Sequence, residues 1–338
     1  MLTMYESHFG LRQRPFRTIP DSEHYYPATS HEAALAQLLQ GIEEDEGLML
    51  LTGEPGTGKT IIGHCLLDRL GDQVSSAFLT NSRFGSRLGL LQAILHDLCL
   101  RHEGRSEQEL RLTLTDFLLK NYEAARRTVV IIDEAQHLTP DILEELRLLG
   151  NLESRHGKAL QTILLALPDI GKTLSLPELA ALNQRLAVRL RLEPLGFHEA
   201  ADYLVQHLRA QGGKAEAIVS DEALAILARG TKGIPRLLNR AMHQAFKLTH
   251  QAGQSLVDAE AALEALAVCG LADGPNGEAE PFSPNSAEQE EPDLQAQASE
   301  IPGLPRPRSA TQDDLLADCD SPDSSRSHRL FVPPRRPA

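Results

Sequence analysis

Up to Pro194 the chain alternates short apolar runs with stretches whose apolar residues recur at helical spacing. Apolar runs that short, separated by helical patterns, read as parallel strands joined by crossover helices. The strands predicted are 48–51, 76–80, 128–132, 161–166 and 187–192, and the intervening helices include 87–100, 107–120 and 141–152. Val129-Val130-Ile131-Ile132 is apolar on both faces and predicts a central strand. Val188-Arg189-Leu190-Arg191-Leu192 alternates and predicts an edge. After Pro194 only helical patterns remain, over 198–211, 221–229, 235–251 and 258–266, which predicts a small all-α bundle. Ser220 is placed to cap the second of these helices and Gly230 to end it. Pro235 suits a first helical turn, which puts Arg236 in that turn as well. Thr29-Ser30-His31-Glu32 reads as a capping box opening an earlier helix.

Composition changes near Leu271. Beyond it the chain is rich in Pro, Ser, Gln, Asp and Glu without a sustained hydrophobic period, so residues 272–338 are predicted to be disordered. Leu304-Pro305-Arg306-Pro307-Arg308 and Pro333-Pro334-Arg335-Arg336 read first as parts of a solvated tail and second as docking motifs. The plan is therefore an α/β domain over 1–194, a helical domain over 195–271 and a tail over 272–338. A chain of 338 residues buries its cores without covalent staples. Cys65, Cys99, Cys269 and Cys319 form no CxxC pair, which fits reduced thiols in a cytoplasmic protein. The neighbouring pairs His64-Cys65 and His96-Cys99 lack a second pair to complete a metal site. The N-terminus carries no secretory signal pattern, and no apolar run approaches the roughly 18 residues of a membrane span. A net charge of −14 argues against coating nucleic acid by bulk electrostatics.

The candidate chemistry sits at the ends of two predicted strands. Gly53-Glu54-Pro55-Gly56-Thr57-Gly58-Lys59-Thr60, followed by Ile61, matches GxxxxGK[ST] between an apolar strand and a helix. Glycines let backbone N–H groups converge on phosphate oxygens, and the helix N-terminus adds its positive dipole end. Lys59 is then the β/γ-phosphate contact, and Thr60 a magnesium ligand. Thr128-Val129-Val130-Ile131-Ile132-Asp133-Glu134 is a Walker B pattern. Asp133 reads as the second magnesium-binding residue and Glu134 as the group that polarises attacking water. Together these predict ATP and Mg²⁺ as cofactors of a P-loop NTPase with a parallel sheet between helices. Asp133-Glu134-Ala135-Gln136 also resembles a DEAD/DEAH helicase box, but such helicases carry a second α/β core and only helices follow Pro194.

With these motifs, the helical lid and Gly233-Ile234-Pro235-Arg236, the chain resembles an AAA+ ATPase. The opening Met4-Tyr5-Glu6-Ser7-His8-Phe9-Gly10-Leu11, then Arg14-Pro15-Phe16 and Pro20-Asp21, is similar to the N-terminus of general secretion pathway protein A (ExeA-type) ATPases, with MSHA-biogenesis and TniB-type transposition ATPases as relatives. The motifs span residues 4–270. The resemblance implies an ATPase serving an envelope secretion, pilus or polysaccharide-export apparatus. It assigns Arg236 to sensor 2 and Arg185, in Asn183-Gln184-Arg185-Leu186, to the arginine finger, with Arg189 and Arg191 as nearby alternatives. An arginine finger implies an oligomer. It also lays the segment through Pro20 over the adenine, where Phe9, Pro15 and Phe16 are either base contacts or packing residues.

One position departs from the family. Ala166-Leu167-Pro168-Asp169-Ile170 stands where the family has Gly-Gln-Pro-Glu-Leu, so Leu167 replaces the polar sensor 1 residue. Slower hydrolysis, or compensation by a side chain such as Asp169, is the consequence to test. These residues carry no membrane span or peptidoglycan-binding domain, so an envelope role is expected to act through partners, at most peripherally to the inner membrane. An ATP-dependent DNA-binding adaptor of the transposition type is the less favoured alternative, and a nucleotide-responsive scaffold with negligible turnover a third.

Overall fold

In the computed structural model, which describes residues 5–17, 22–71, 74–154 and 157–271, the α/β layers and the helical bundle fall within one compact unit, Met1–Gly277. The predicted tail, 272–338, and its proline-arginine motifs lie outside the described residues.

Helix α1 (Thr29–Glu43) leads into strand β1 (Leu48–Gly53), α2 (Lys59–Leu70), β2 (Val74–Leu79), α3 (Arg87–Asp97), α4 (Glu107–Glu123), β3 (Arg127–Ile132) and α5 (Pro140–Leu149). A short hairpin, β4 (Glu153–Ser154) and β5 (Gly157–Lys158), precedes β6 (Gln161–Ala166), α6 (Ile170–Leu174), α7 (Ala180–Gln184) and β7 (Val188–Leu192). The long strands form one five-stranded sheet in the order β2-β3-β6-β1-β7, all parallel. Alternation along each strand sorts the core into two layers. Leu48, Leu50, Val130, Ile132, Leu164 and Ala166 face α3, α4 and α5. Met49, Leu51, Val129, Ile131, Ile163 and Leu165 face α1 and α2. All six residues of β6 are buried, as the middle strand requires, and β7 is the edge its alternating arginines predict.

The order has a consequence for function. β6 enters between β1 and β3, so the turns after β1 and β3 open on either side of its carboxyl end. Open α/β sheets bind ligands at such a switch point.

The helices α8 (Phe197–Ala210), α9 (Ala215–Ile218), α10 (Asp221–Gly230), α11 (Pro235–Gln251) and α12 (Ala259–Val268) enclose a second core around Leu204, Leu227, Met242 and Phe246. Ser220 caps α10 by accepting from the Ala223 N–H, a contact worth ~1 kcal/mol. Gly230 does not end that helix by a left-handed turn: it is the last helical residue, and a Cβ there would lie 2.5 Å from Leu266 of α12. The left-handed turn falls on Lys232 (φ 53°) and Gly233 (φ 68°). Described residues near the N-terminus join this bundle. Tyr5, Phe9, Leu11 and Phe16 are buried in its core, with Tyr5 stacked on Phe246 at 5.2 Å.

The capping box predicted at Thr29 does not form. Ala28 is the N-cap, and the N–H and hydroxyl of Thr29 donate instead to Glu199 of α8, at 2.8 and 2.7 Å. The other oxygen of that carboxylate accepts the Gly196 N–H, so Glu199 ties together the starts of α1 and α8. Glu32, the expected partner, pairs with Arg69.

Candidate functional site

A cavity of about 370 Å³ opens between the sheet's carboxyl edge and the helical bundle. Its floor is the loop after β1. Gly56 (φ 86°) and Gly58 (φ 108°) take left-handed backbone there, and Pro55 through Ile61 line the cavity. Gly53 and Glu54 do not line it; their carbonyls accept the Lys59 ammonium, at 2.8 and 3.0 Å. A Cβ on Gly53 would sit 2.9 Å from Thr57 Oγ1 and 3.0 Å from the Leu192 carbonyl, so only glycine permits this approach. Lys59 is 6 % exposed. Burial pushes its ammonium below the usual lysine value; Arg236 acts the same way, while Glu134 and Asp133 oppose.

A residue that sequence reading missed supports the loop from below. His31 of α1 is buried, and its Nε2 lies 2.8 Å from the Thr57 carbonyl. A carbonyl only accepts, so Nε2 carries the proton and Nδ1 of the neutral ring is an acceptor; the Ser30 hydroxyl lies 3.2 Å from Nδ1 and 3.2 Å from the Glu193 carbonyl, two acceptors for its one proton. Burial lowers the His31 pKa, which favours this neutral form. The motif read as a helix cap thus supplies a brace for the loop instead.

The second wall comes from β3. Asp133 is 4 % exposed; its Oδ2 accepts the Thr60 hydroxyl at 2.6 Å and its Oδ1 accepts the Glu134 N–H at 2.8 Å. Glu134 has left-handed backbone (φ 54°), a conformation that costs a non-glycine residue ~1 kcal/mol. Its carbonyl accepts the Ser82 hydroxyl at 2.5 Å, and its side chain lines the cavity. Gln136 donates to Glu134 Oε2 at 2.5 Å and accepts the Leu167 N–H at 3.0 Å. Leu167 lines the cavity, whereas Asp169 does not and pairs with Lys172 on the surface.

The bundle forms the roof. Arg236 lines the cavity, and its backbone N–H donates to the Gly56 carbonyl at 3.3 Å. Tyr203, His207, Gln211 and Asn239 line the far end with Arg14, Pro15, Arg17, His24 and Tyr26. Of the N-terminal apolar residues, Pro15 reaches the cavity, while Phe9 and Phe16 are packed within the bundle. Arg185 is exposed on the chain's surface and is absent from its own cavity wall.

Chemically, the site offers a glycine nest at a helix N-terminus, one buried ammonium, and a hydroxyl in contact with a carboxylate. The Thr60 and Asp133 oxygens form the hard, oxygen-only pair that magnesium takes, and the nest with Lys59 suits a polyphosphate.

Fold and site together define an AAA-type P-loop protein. Residues 42–174 match the AAA domain family. The chain is 38 % identical over 275 residues to general secretion pathway protein A of Aeromonas hydrophila, covering 80 % of this chain and 49 % of that protein, which bears out the resemblance read from its N-terminal motifs. The chain thus spans about half the length of that curated relative. Among solved structures, the ORC2 protein of Aeropyrum pernix in ADPNP-ADP complexes has a TM-score of 0.58 at 17 % identity, with 75 % of this chain and 71 % of that one covered. Cdc6p of Pyrobaculum aerophilum has a TM-score of 0.58 at 19 % identity, with 72 % and 70 % covered. Drosophila ORC bound to DNA has a TM-score of 0.56 at 19 % identity, with 76 % and 64 % covered. At such identities the likeness is one of fold.

Proposed function

We propose that the protein is a Mg²⁺-dependent ATPase of the AAA+ type that assembles or regulates an envelope secretion, pilus or polysaccharide-export apparatus. The observation that carries the ATPase reading is the Thr60–Asp133 contact at 2.6 Å, with Lys59, Glu134 and Arg236 around the same cavity. The identity to general secretion pathway protein A supports the secretion role.

In this reading Lys59 leaves the Gly53 and Glu54 carbonyls for the β/γ-phosphates, and the N–H groups of the Gly56–Thr60 loop hold their oxygens. Thr60 and Asp133 would hold magnesium, which neutralises phosphate charge when bound. Glu134 accepts a proton from the attacking water, and Arg236 approaches the γ-phosphate from the roof and links nucleotide state to bundle position. The cavity's far end takes the base. Arg185, exposed on its own chain, serves a neighbouring subunit's site.

Steady-state phosphate release and equilibrium ATP binding test this. Lys59→Ala is expected to lose both; Glu134→Gln keeps binding and slows turnover by about 10²-fold or more, the usual worth of a general base. Full turnover in Glu134→Gln would remove Glu134 from that role.

A further inference from the structure

We infer that Gln136 is a positioning residue that holds the Glu134 carboxylate from the end of β6, through the main chain of Leu167 rather than a sensor 1 side chain. The inference rests on the ATPase reading above. Gln136 lies in the short 3-10 turn Ala135–His137 that follows Glu134, half-buried and outside the wall of the cavity. Both ends of its carboxamide are used. Nε2 donates to Glu134 Oε2 at 2.5 Å, and Oε1 accepts the Leu167 N–H at 3.0 Å, which also settles which end of the amide faces which partner.

The need for such a group follows from the surroundings. Glu134 is exposed, has left-handed backbone and lines the cavity. The Ser82 hydroxyl fixes its carbonyl at 2.5 Å, which leaves the carboxylate to be fixed separately. A general base acts only within hydrogen-bond reach of the proton it takes, so a carboxylate with several rotamers is effective only part of the time. Gln136 narrows that choice. Its anchor is the backbone N–H of the residue that directly follows β6, the strand between β1 and β3, so the carboxylate is referenced to the same sheet that carries the phosphate-binding loop.

This arrangement gives Leu167 a different meaning. The backbone N–H of any residue except proline serves the relay, so an apolar side chain at 167 is compatible with an oriented base. Pro168 disfavours helical backbone at Leu167 and so helps keep the β6 end extended.

The test uses the full chain and its Gln136→Leu and Gln136→Glu variants; the latter retains an acceptor for Leu167 but places a carboxylate against Glu134. For a positioning residue, kcat falls about 10-fold or more in both variants while KM and ATP affinity stay within about two-fold. In a Glu134→Gln background, Gln136→Leu should remove nothing further from the residual rate, because the group it positions has gone. A purely structural role gives the opposite result, with thermal stability and ATP affinity falling and the loss multiplying that of Glu134→Gln. Wild-type turnover in Gln136→Leu also overturns the inference. Should the wild-type chain bind ATP without hydrolysing it, the hydrolysis reading fails by itself, and NMR decides the contact. The side-chain amide resonance of Gln136, assigned by its loss in Gln136→Leu, is expected to shift in Glu134→Ala, and an unmoved resonance refutes the contact.

Discussion

The Tyr5 hydroxyl lies 2.7 Å from Nδ1 of His243. Burial pushes His243 down to about 4, and the positive charges of Arg14 and Lys247 act in the same direction while Glu6 opposes them. A histidine whose folded value lies below its unfolded value of ~6.5 stabilises the fold above that value and loses the contribution as pH falls towards the folded one. The urea midpoint is therefore expected to decline between about pH 6.5 and pH 4, and more shallowly in His243→Gln. Equal slopes in the two chains would exclude this histidine. His31 and His207, also lowered by burial, contribute to the remaining slope with the same sign. Residues of this kind were hard to read in advance. Lys59, Thr60, Asp133 and Glu134 announce themselves because phosphate and metal chemistry demands those types at that spacing. His31 and Gln136 lie in motifs the sequence does mark, 29–32 and 133–136, but their partners Thr57 and Leu167 are far away in sequence and no local pattern announces those contacts.

At the level of elements, the start of α11 is set by a backbone crossing. A Cβ on Gly233 would lie 1.9 Å from the Leu195 carbonyl oxygen, and the Leu195 N–H donates to the Gly233 carbonyl at 2.9 Å. Neither side of that contact is a flexible side chain, and Gly233 also has φ 68°. Gly253 has nearly the same dihedral, φ 70°, but open space around it. Gly253→Ala should therefore cost only the backbone term of ~1 kcal/mol, whereas Gly233→Ala should cost ~3 kcal/mol and shift Arg236, weakening ATP binding. Denaturant titration of both variants checks this, and equal losses would mean that the crossing carries no weight. The elements themselves were mostly legible. Short apolar runs and helical patterns predicted every strand of the main sheet and four of the five bundle helices, because each buries at least one face; the single turn α9 was not predicted. The caps were less legible. Thr29 to Glu32 has the composition of a capping box, but the Glu199 carboxylate from α8 reaches Thr29 first, and Gly230 is small because Leu266 packs against it.

For the whole molecule, the decisive position is that of Arg185. It is exposed and outside the cavity of its own chain, the placement that the arginine-finger role proposed above requires. Arg185→Ala and Lys59→Ala chains are each expected to be nearly inactive, and mixing them should restore turnover, since some interfaces then join an intact Lys59 to an intact Arg185. An arginine finger is worth about 10³-fold or more, so the recovery is easily measured. Mixtures no more active than their components would confine Arg185 to a surface role. Among the described residues no helix is long and apolar enough to cross a membrane.

By itself the sequence determined the phosphate-binding loop, the acidic strand end, the parallel α/β class and the helical bundle, because each depends on residue type at short, fixed spacing. Only the tertiary structure decided that β6 lies between β1 and β3, which brings the Leu167 N–H to Gln136 and so to Glu134. It also placed Tyr5, Phe9 and Phe16 in the bundle core and the Glu199 carboxylate across two helix starts. These contacts join residues separated by tens to hundreds of positions, and their geometry comes from strand order and core packing, which no local pattern encodes.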